Sequence, residues 1–186
     1  MSPFATTIAE EGVYIDNVKL VEAGRFREAE MLDLLTSGPW PARNPVQNLN
    51  DLKAQVAANQ KGADELRRAT AEFGLEVVRA YMGHVQDNAA ASVRLMLRSL
   101  PAQSAFDYEI DQGSVIRVKV SVDTEAGEAV VDFTGTSPQR PDNFNAPLPV
   151  TRAAVLYVLR VMVEDDIPMN AGCLRPVRIV APKARC

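Results

Sequence analysis

Pro149-Val150-Thr151-Arg152-Ala153-Ala154-Val155-Leu156-Tyr157-Val158-Leu159-Arg160-Val161-Met162-Val163 is the stretch whose reading decides the fold. It is apolar almost all round, and only Thr151, Arg152 and Arg160 interrupt it. A helix with no polar face is normally wrapped by protein. At about 1.5 Å per residue it reaches only about 21 Å, short of a bilayer core of about 30 Å. The expectation is therefore a buried C-terminal helix, not a membrane span. Polar loops flank it: Asp132-Phe133-Thr134-Gly135-Thr136 and Asn143-Phe144-Asn145-Ala146-Pro147 before, Asp165-Asp166-Ile167-Pro168-Met169-Asn170-Ala171-Gly172-Cys173 after. A greasy rod carrying asparagine-, aspartate- and glycine-rich loops at both ends predicts a scaffold for a polar site.

Upstream of the rod, Phe106 to Ile110 reads as a strand, and Asp111-Gln112-Gly113 as a turn. Ile116, Val118, Val120 and Val122 alternate with Arg117, Lys119, Ser121 and Asp123; residues 124–128 turn and 129–133 return. One apolar and one wet face predict an antiparallel sheet under a helical layer. Downstream, residues 177–180 read as a further strand.

Further upstream, Asn44-Pro45 matches an N-cap followed by proline at the first helical position. Leu49, Leu52, Val56, Asn59, Ala63, Leu66, Thr70 and Phe73 then recur at spacings of three and four. Beyond Gly74 the rhythm resumes with Leu75, Val78, Met82, Val85, Ala89, Val93, Met96 and Leu100, and Pro101 closes it. The pattern predicts a long helical hairpin about Gly74, with Asn59 facing the neighbourhood of Asn88 as an amide pair. Ahead of it, residues 12–21 read as a short strand or extended arm and 27–35 as a short helix. Residues 38–45 carry three prolines around the only tryptophan, Trp40. Trp40 is expected to anchor that loop to the body of the domain; the alternative is a lid over a pocket. The fold class is α+β, with an arm and short helix over 1–45, the hairpin over 46–100, and sheet plus buried helix over 101–186.

The 186 residues suit one domain or a piece of a larger one, and 47% hydrophobic residues suffice for a core. A net charge of −4, no basic run and few aromatics argue against nucleic acid. Met1-Ser2-Pro3-Phe4 has neither the positive region nor the apolar run of a signal peptide. The two cysteines, Cys173 and Cys186, imply no disulfide framework. The expectation is a cytoplasmic chain.

His84, the only histidine, has Tyr81, Asp87 and Asn88 at helical neighbour positions. It reads either as a general acid or base oriented by Asp87, or as a half-buried helix histidine. Asp132, Thr134, Gly135 and Thr136 crowd a carboxylate, two hydroxyls and free backbone N–H groups at a strand end. Asn143 and Asn145 precede the rod, whose free N–H groups and Arg152 favour negative charge. They either shape their loop or grip a polar ligand. Glu164-Asp165-Asp166 reads as a solvated helix end, not a metal site. Cys173 reads as a buried filler with nothing to activate it.

Three ordered blocks, Val131-Asp132-Phe133-Thr134-Gly135-Thr136-Ser137-Pro138-Gln139, Asn143-Phe144-Asn145-Ala146-Pro147 and the run from Asp165 to Pro176, resemble the hydantoinase B/oxoprolinase family. Leu20-Val21-Glu22-Ala23-Gly24-Arg25-Phe26-Arg27-Glu28, Pro41-Ala42-Arg43-Asn44-Pro45 and Tyr81-Met82-Gly83-His84-Val85-Gln86-Asp87-Asn88-Ala89 fit as well. The resemblance covers nearly the whole chain. It implies a B-type component working with an ATP-using hydantoinase A-type partner, which phosphorylates the oxygen of a cyclic amide such as 5-oxoproline or a hydantoin. The B component then completes ring opening. A related subunit serves acetone carboxylase. The resemblance also implies a divalent metal, held by an upstream His-His-x-Asp-x-Gly-Gly stretch that is not in this sequence. The chain is therefore expected to be an internal fragment, about a middle third of a B subunit, with no metal ligand of its own. Inside the matching blocks, Asp132, Thr134, Gly135, Asn143, Asn145, Asn170 and Gly172 are the expected substrate contacts, with His84 for proton transfer. The competing readings are a non-catalytic scaffold and subunit interface, with the helical hairpin docking the ATP-using partner, and a carboxylase-type subunit in place of a hydrolase.

Overall fold

Asn44 and Pro45 begin the longest helix as their types predict, the Asn44 Oδ1 accepting the Gln47 N–H at 3.2 Å. The computed structural model describes residues 5–111 and 113–181. The segment 1–4, Gln112 of the predicted 111–113 turn, and Cys186 lie outside the described residues. Two compact units form, Met1–Leu75 with Pro141–Phe144, and Glu76–Arg140 with Asn145–Cys186.

The first unit holds α1 (Ile8–Glu11), β1 (Val21–Glu22), β2 (Arg25–Phe26), α2 (Glu28–Thr36) and α3 (Pro45–Phe73). β1 and β2 are a tight antiparallel pair whose turn places Ala23 and Gly24 at positive φ, 47° and 77°. Of the expected short strand or extended arm over 12–21, only Val21 lies in a strand, and residues 12–20 belong to no helix or strand. Met31 and Leu35 of α2 meet Leu49 of α3 in a small core ringed by Leu20, Phe26, Leu34, Ala42 and Leu52. Past this core α3 is carried by local pairs such as Lys61–Glu65 at 2.7 Å and Gln60–Asp64 at 2.9 Å. Leu49 is the only buried residue on α3, and Leu66 and Phe73 are exposed. Trp40 does not anchor its loop: its ring is half exposed and lines a concavity of about 850 Å³ with Tyr14, Asn44 and Asn48. Ala42 makes that attachment, its N–H bonding the Leu35 carbonyl at 2.8 Å. Asn59 falls in the first unit and Asn88 in the second, and each is exposed within its own unit.

The second unit holds α4 (Leu75–Arg98), β3 (Gln103–Glu109), β4 (Val115–Asp123), β5 (Glu128–Asp132), α5 (Leu148–Met162), a short 3-10 helix (Ala171–Leu174) and β6 (Val177–Val180). The sheet runs β3-β4-β5-β6. The first three strands are antiparallel as expected. β6 adds parallel to β5 because the α5 connection crosses back over the sheet. Val120 and Val122 of β4 face the helices, with Arg117, Lys119 and Asp123 on the wet side, as the alternation dictates. The core joins Ala89, Val93 and Leu97 of α4, Val122 and Ala129 of the sheet, Leu159 and Val163, Ile167 and Cys173. Gly127, at φ 69° in the β4–β5 turn, sits so close to α4 that a Cβ there would lie 2.7 Å from the Arg94 carbonyl oxygen.

α5 forms where the apolar run predicts but is not a buried helix. Only Leu159 is buried, and Leu148, Val150, Tyr157, Val158, Val161 and Met162 are exposed. Apolar composition records how much surface needs covering, and in this chain the sheet covers one side only.

Candidate functional site

The 132–137 turn is built from its own side chains. Asp132 Oδ1 accepts the Thr134 N–H at 2.8 Å, and Gly135 takes φ 97°. Thr136 is buried, its hydroxyl accepting the Arg117 N–H at 3.1 Å and donating to the Arg117 carbonyl at 3.2 Å. Ser137 exchanges bonds with Val115, N–H to carbonyl and N–H to hydroxyl, both at 2.9 Å. The sequence shows Thr136 as the second hydroxyl of this turn but not its role: it is no candidate contact and fastens the turn to β4. A hydroxyl just past a turn glycine is the signal that was available.

The hydroxyl and the N–H of Thr134 hold the Asp132 carboxyl below its ordinary value of 3.8, helped by the charges of Arg178 and Lys119. A lowered folded value stabilises fully above the unfolded value, and that stabilisation is lost as pH falls through the folded one. Asp132→Asn is therefore expected to melt below the wild type near neutrality, with the gap closing as pH falls below about 4. Urea melts at both ends of that range check it. A gap independent of pH excludes the charge as its cause.

Asn145 closes the next loop. Its Oδ1 accepts the Arg140 N–H at 2.9 Å and its Nδ2 donates to the Arg140 carbonyl at 3.0 Å. Arg140 reaches Ser114 Oγ at 3.2 Å. Asn143 is half-buried and groups with the first unit.

The third loop docks on α4. Asn170 Oδ1 accepts the Gly172 N–H at 2.7 Å and Nδ2 donates to the Pro168 carbonyl at 3.0 Å, so the side chain caps the 3-10 helix. Gly172 is buried against α4, and a Cβ there would stand 2.0 Å from the Gln86 carbonyl oxygen. Arg175 grips the same turn, one guanidinium nitrogen on Asp87 and the other on Gln86 Oε1 at 2.7 Å. Ser92 Oγ bonds Asp165 at 3.5 Å. Asp87 is thus committed to Arg175 and does not orient His84. The exposed imidazole of His84 instead meets the Tyr81 ring edge to face at 5.7 Å.

The fold therefore brings the 81–89 block and the 165–176 block together and sets the Asp132 turn apart from them. Ala129 pairs with Val177 and Asp132 with Val180 in parallel register. The Gly172 loop and the Asp132 turn lie at opposite ends of β5 and β6, about 10 Å apart along the strands. Neither Asp132 nor Gly172 lines the second described concavity, about 770 Å³, which opens on Arg152, Arg175, Arg178, Asp123 and Glu128. Cys173 is a buried free thiol within the core, as expected. Among the described residues no group of three or more His, Cys, Asp or Glu is placed to hold a metal ion, and no helix is long and apolar enough to cross a membrane.

Comparison with known proteins adds to this geometry. The family model described as Hydantoinase B/oxoprolinase matches residues 1–186. The chain is similar to 5-oxoprolinase 1 of Arabidopsis thaliana, 42% identical over 206 residues, which is 98% of this chain and 16% of that protein. It is also similar to 5-oxoprolinase PfmaA of Pestalotiopsis fici, 42% identical over 192 residues, 98% of this chain and 15% of that protein. The solved ATP-dependent caprolactamase of Pseudomonas jessenii superposes with a TM-score of 0.78 at 27% identity, over 96% of this chain and 31% of that one. The chain thus spans about a sixth of these two oxoprolinases and under a third of the caprolactamase chain.

Proposed function

The chain belongs to the hydantoinase B/oxoprolinase family, and on that premise we propose that it is a segment of the B-type component of an ATP-dependent enzyme that opens a cyclic amide by hydrolysis. The observation that carries this reading is the match to 5-oxoprolinases along 98% of the chain, together with the likeness to a caprolactamase, another cyclic amide hydrolase by name. An amide carbonyl is a poor electrophile. Moving the γ-phosphoryl group of ATP onto its oxygen lowers the barrier to attack by water at the carbonyl carbon. The ring C–N bond then breaks with the proton going to nitrogen, and a second water cleaves the acyl phosphate so formed to a carboxylate and free phosphate. In this reading an A-type subunit or domain spends the ATP, and the B component handles the activated ring of 5-oxoproline, a hydantoin or a similar lactam in the cytoplasm. The described residues do not form a metal site, so no step here is assigned to a metal ion.

Among the expected contacts, Asn170 and Gly172 lie on the loop that docks on α4 at Gln86, two residues along from His84. That neighbourhood best supports a role at the substrate, with Asn170 supplying hydrogen bonds and His84 a proton. Asp132, Thr134, Gly135, Asn143 and Asn145 would contact substrate from their own turns. The scaffold reading has an observation in its favour too: the side chains of Asp132, Asn145 and Asn170 all bond the backbone of their own loops.

The test uses the complete protein with its A-type partner, ATP and 5-oxoproline, reading ring opening and ADP. His84→Gln, Asn143→Ala and Asn170→Ala are compared at matched circular dichroism. Because His84 is exposed, its replacement leaves the fold intact. Loss of a positioned proton donor is expected to lower kcat by about 100-fold or more. Undiminished turnover in all three variants would establish the scaffold reading. Product formed only with bicarbonate would make the complex a carboxylase.

A further inference from the structure

α5 has no wet side. Projected at 100° per residue, Val155, Leu156 and Leu159 point into the core. Val150, Ala154, Tyr157, Val158 and Val161 share the opposite arc, which contains no charged residue; Arg152 and Arg160 fall outside it. Tyr157, Val158 and Val161 are 64%, 53% and 66% exposed. The same side of the sheet is also left open at its β3 end. Phe106 pairs with Val118 and Tyr108 with Ile116, so these residues share the face on which Val120 and Val122 meet the helices. Phe106 and Tyr108 are nevertheless 64% and 58% exposed, on an edge strand. Isolated exposed apolar residues are ordinary, but an uncharged helix face and an open apolar sheet row on one layer mark a surface built to be covered.

We propose that this surface is an internal seam, covered by apolar polypeptide of the same, longer B-type protein. The occupant follows from proportion: the match covers 96% of this chain but only 31% of the caprolactamase chain, which holds more than two thirds of its length outside it. The arc's lack of charge requires an apolar surface opposite and excludes a charged or nucleic-acid partner. This seam rests on the reading of the chain as a segment of a longer B-type protein, and on none of the residues assigned to the substrate.

The experiment places a cysteine by Val158→Cys, or by Val161→Cys as a second position. It is made in the complete polypeptide that carries this segment and in the 186-residue chain, and iodoacetamide labelling is read by peptide mass mapping. Labelling at that position is expected to be about 100-fold slower in the complete polypeptide than in the chain alone, with equal rates in urea. Equal native rates overturn the proposal. Protection in the isolated chain that grows with its concentration also overturns it, because the occupant is then a second copy. An isolated chain that does not fold labels at the urea rate and still serves as the uncovered reference.

Discussion

Gly172→Ala is expected to lower the unfolding midpoint by about 10 °C, the effect of a loss of roughly 3 kcal/mol or more in a domain of this size. The added Cβ would stand 2.0 Å from the Gln86 carbonyl oxygen, 2.7 Å from its carbonyl carbon and 2.8 Å from Asn170 Oδ1. The first two atoms belong to the backbone of α4 and cannot swing aside. The loop must lift instead. Lifting it strains the Asn170 cap, pulls Arg175 from Asp87 and Gln86, and opens the core where Ile167 and Cys173 are buried. Gly172 has no positive φ, so the cost is close approach rather than backbone strain. Gly62→Ala is the control, because a Cβ there meets nothing within 4 Å on an exposed helix. It is expected to raise stability slightly, by about 0.4–1 kcal/mol. Thermal melts check both, and hydrogen exchange over residues 165–176 reports whether the loop has lifted. A wild-type midpoint for Gly172→Ala would mean that the loop is not seated against α4.

The glycine illustrates what a sequence can and cannot reveal. Gly172 reads naturally as a residue that lets a ligand approach backbone, whereas the atom that approaches is the protein's own carbonyl. The spacing rules recover what is local. Asn44-Pro45 starts α3, Gly74 stops it, the β4–β5 hairpin alternates as predicted, and β6 occupies 177–180. What escapes is whatever another part of the chain decides. β3 begins at Gln103, three residues before the apolar pattern suggests, because its ladder with β4 extends through Ser121 and an edge strand needs no alternation there. The parallel pairing of β6 depends on the crossover, and the β1–β2 turn depends on Ala23 adopting φ 47°.

The candidate site divides in the same way. The polar blocks were legible as blocks, because asparagine, aspartate and glycine are conspicuous beside an apolar run. Their partners were not. Nothing in the spacing of His84 and Asp87 announces that Asp87 is committed to a residue 88 positions away, or that the Asp132 turn and the Gly172 loop end up at opposite ends of the same strands. Asparagine is also ambiguous in kind, since one amide both caps a loop and binds a ligand. In Asn145 and Asn170 the fold uses donor and acceptor alike on backbone.

Leu97→Ala is expected to cost about 2–5 kcal/mol, the range for emptying a buried leucine site. Leu97 is among the most buried large side chains and packs where α4, the sheet and α5 meet. Its neighbours come from three separate elements, so none can collapse into the cavity without loosening another, which favours the upper half of that range. Leu95→Ala, two residues earlier on the same helix and 70% exposed, removes the same atoms from solvent and is expected to change stability by less than about 0.5 kcal/mol in this chain. Urea melts of the pair separate packing from helix propensity, which both substitutions improve equally. Equal losses would mean that α4 is not held by its Ala89, Val93 and Leu97 face. A loss at Leu95 confined to the complete polypeptide would instead show that this outward face, like that of α5, is covered there.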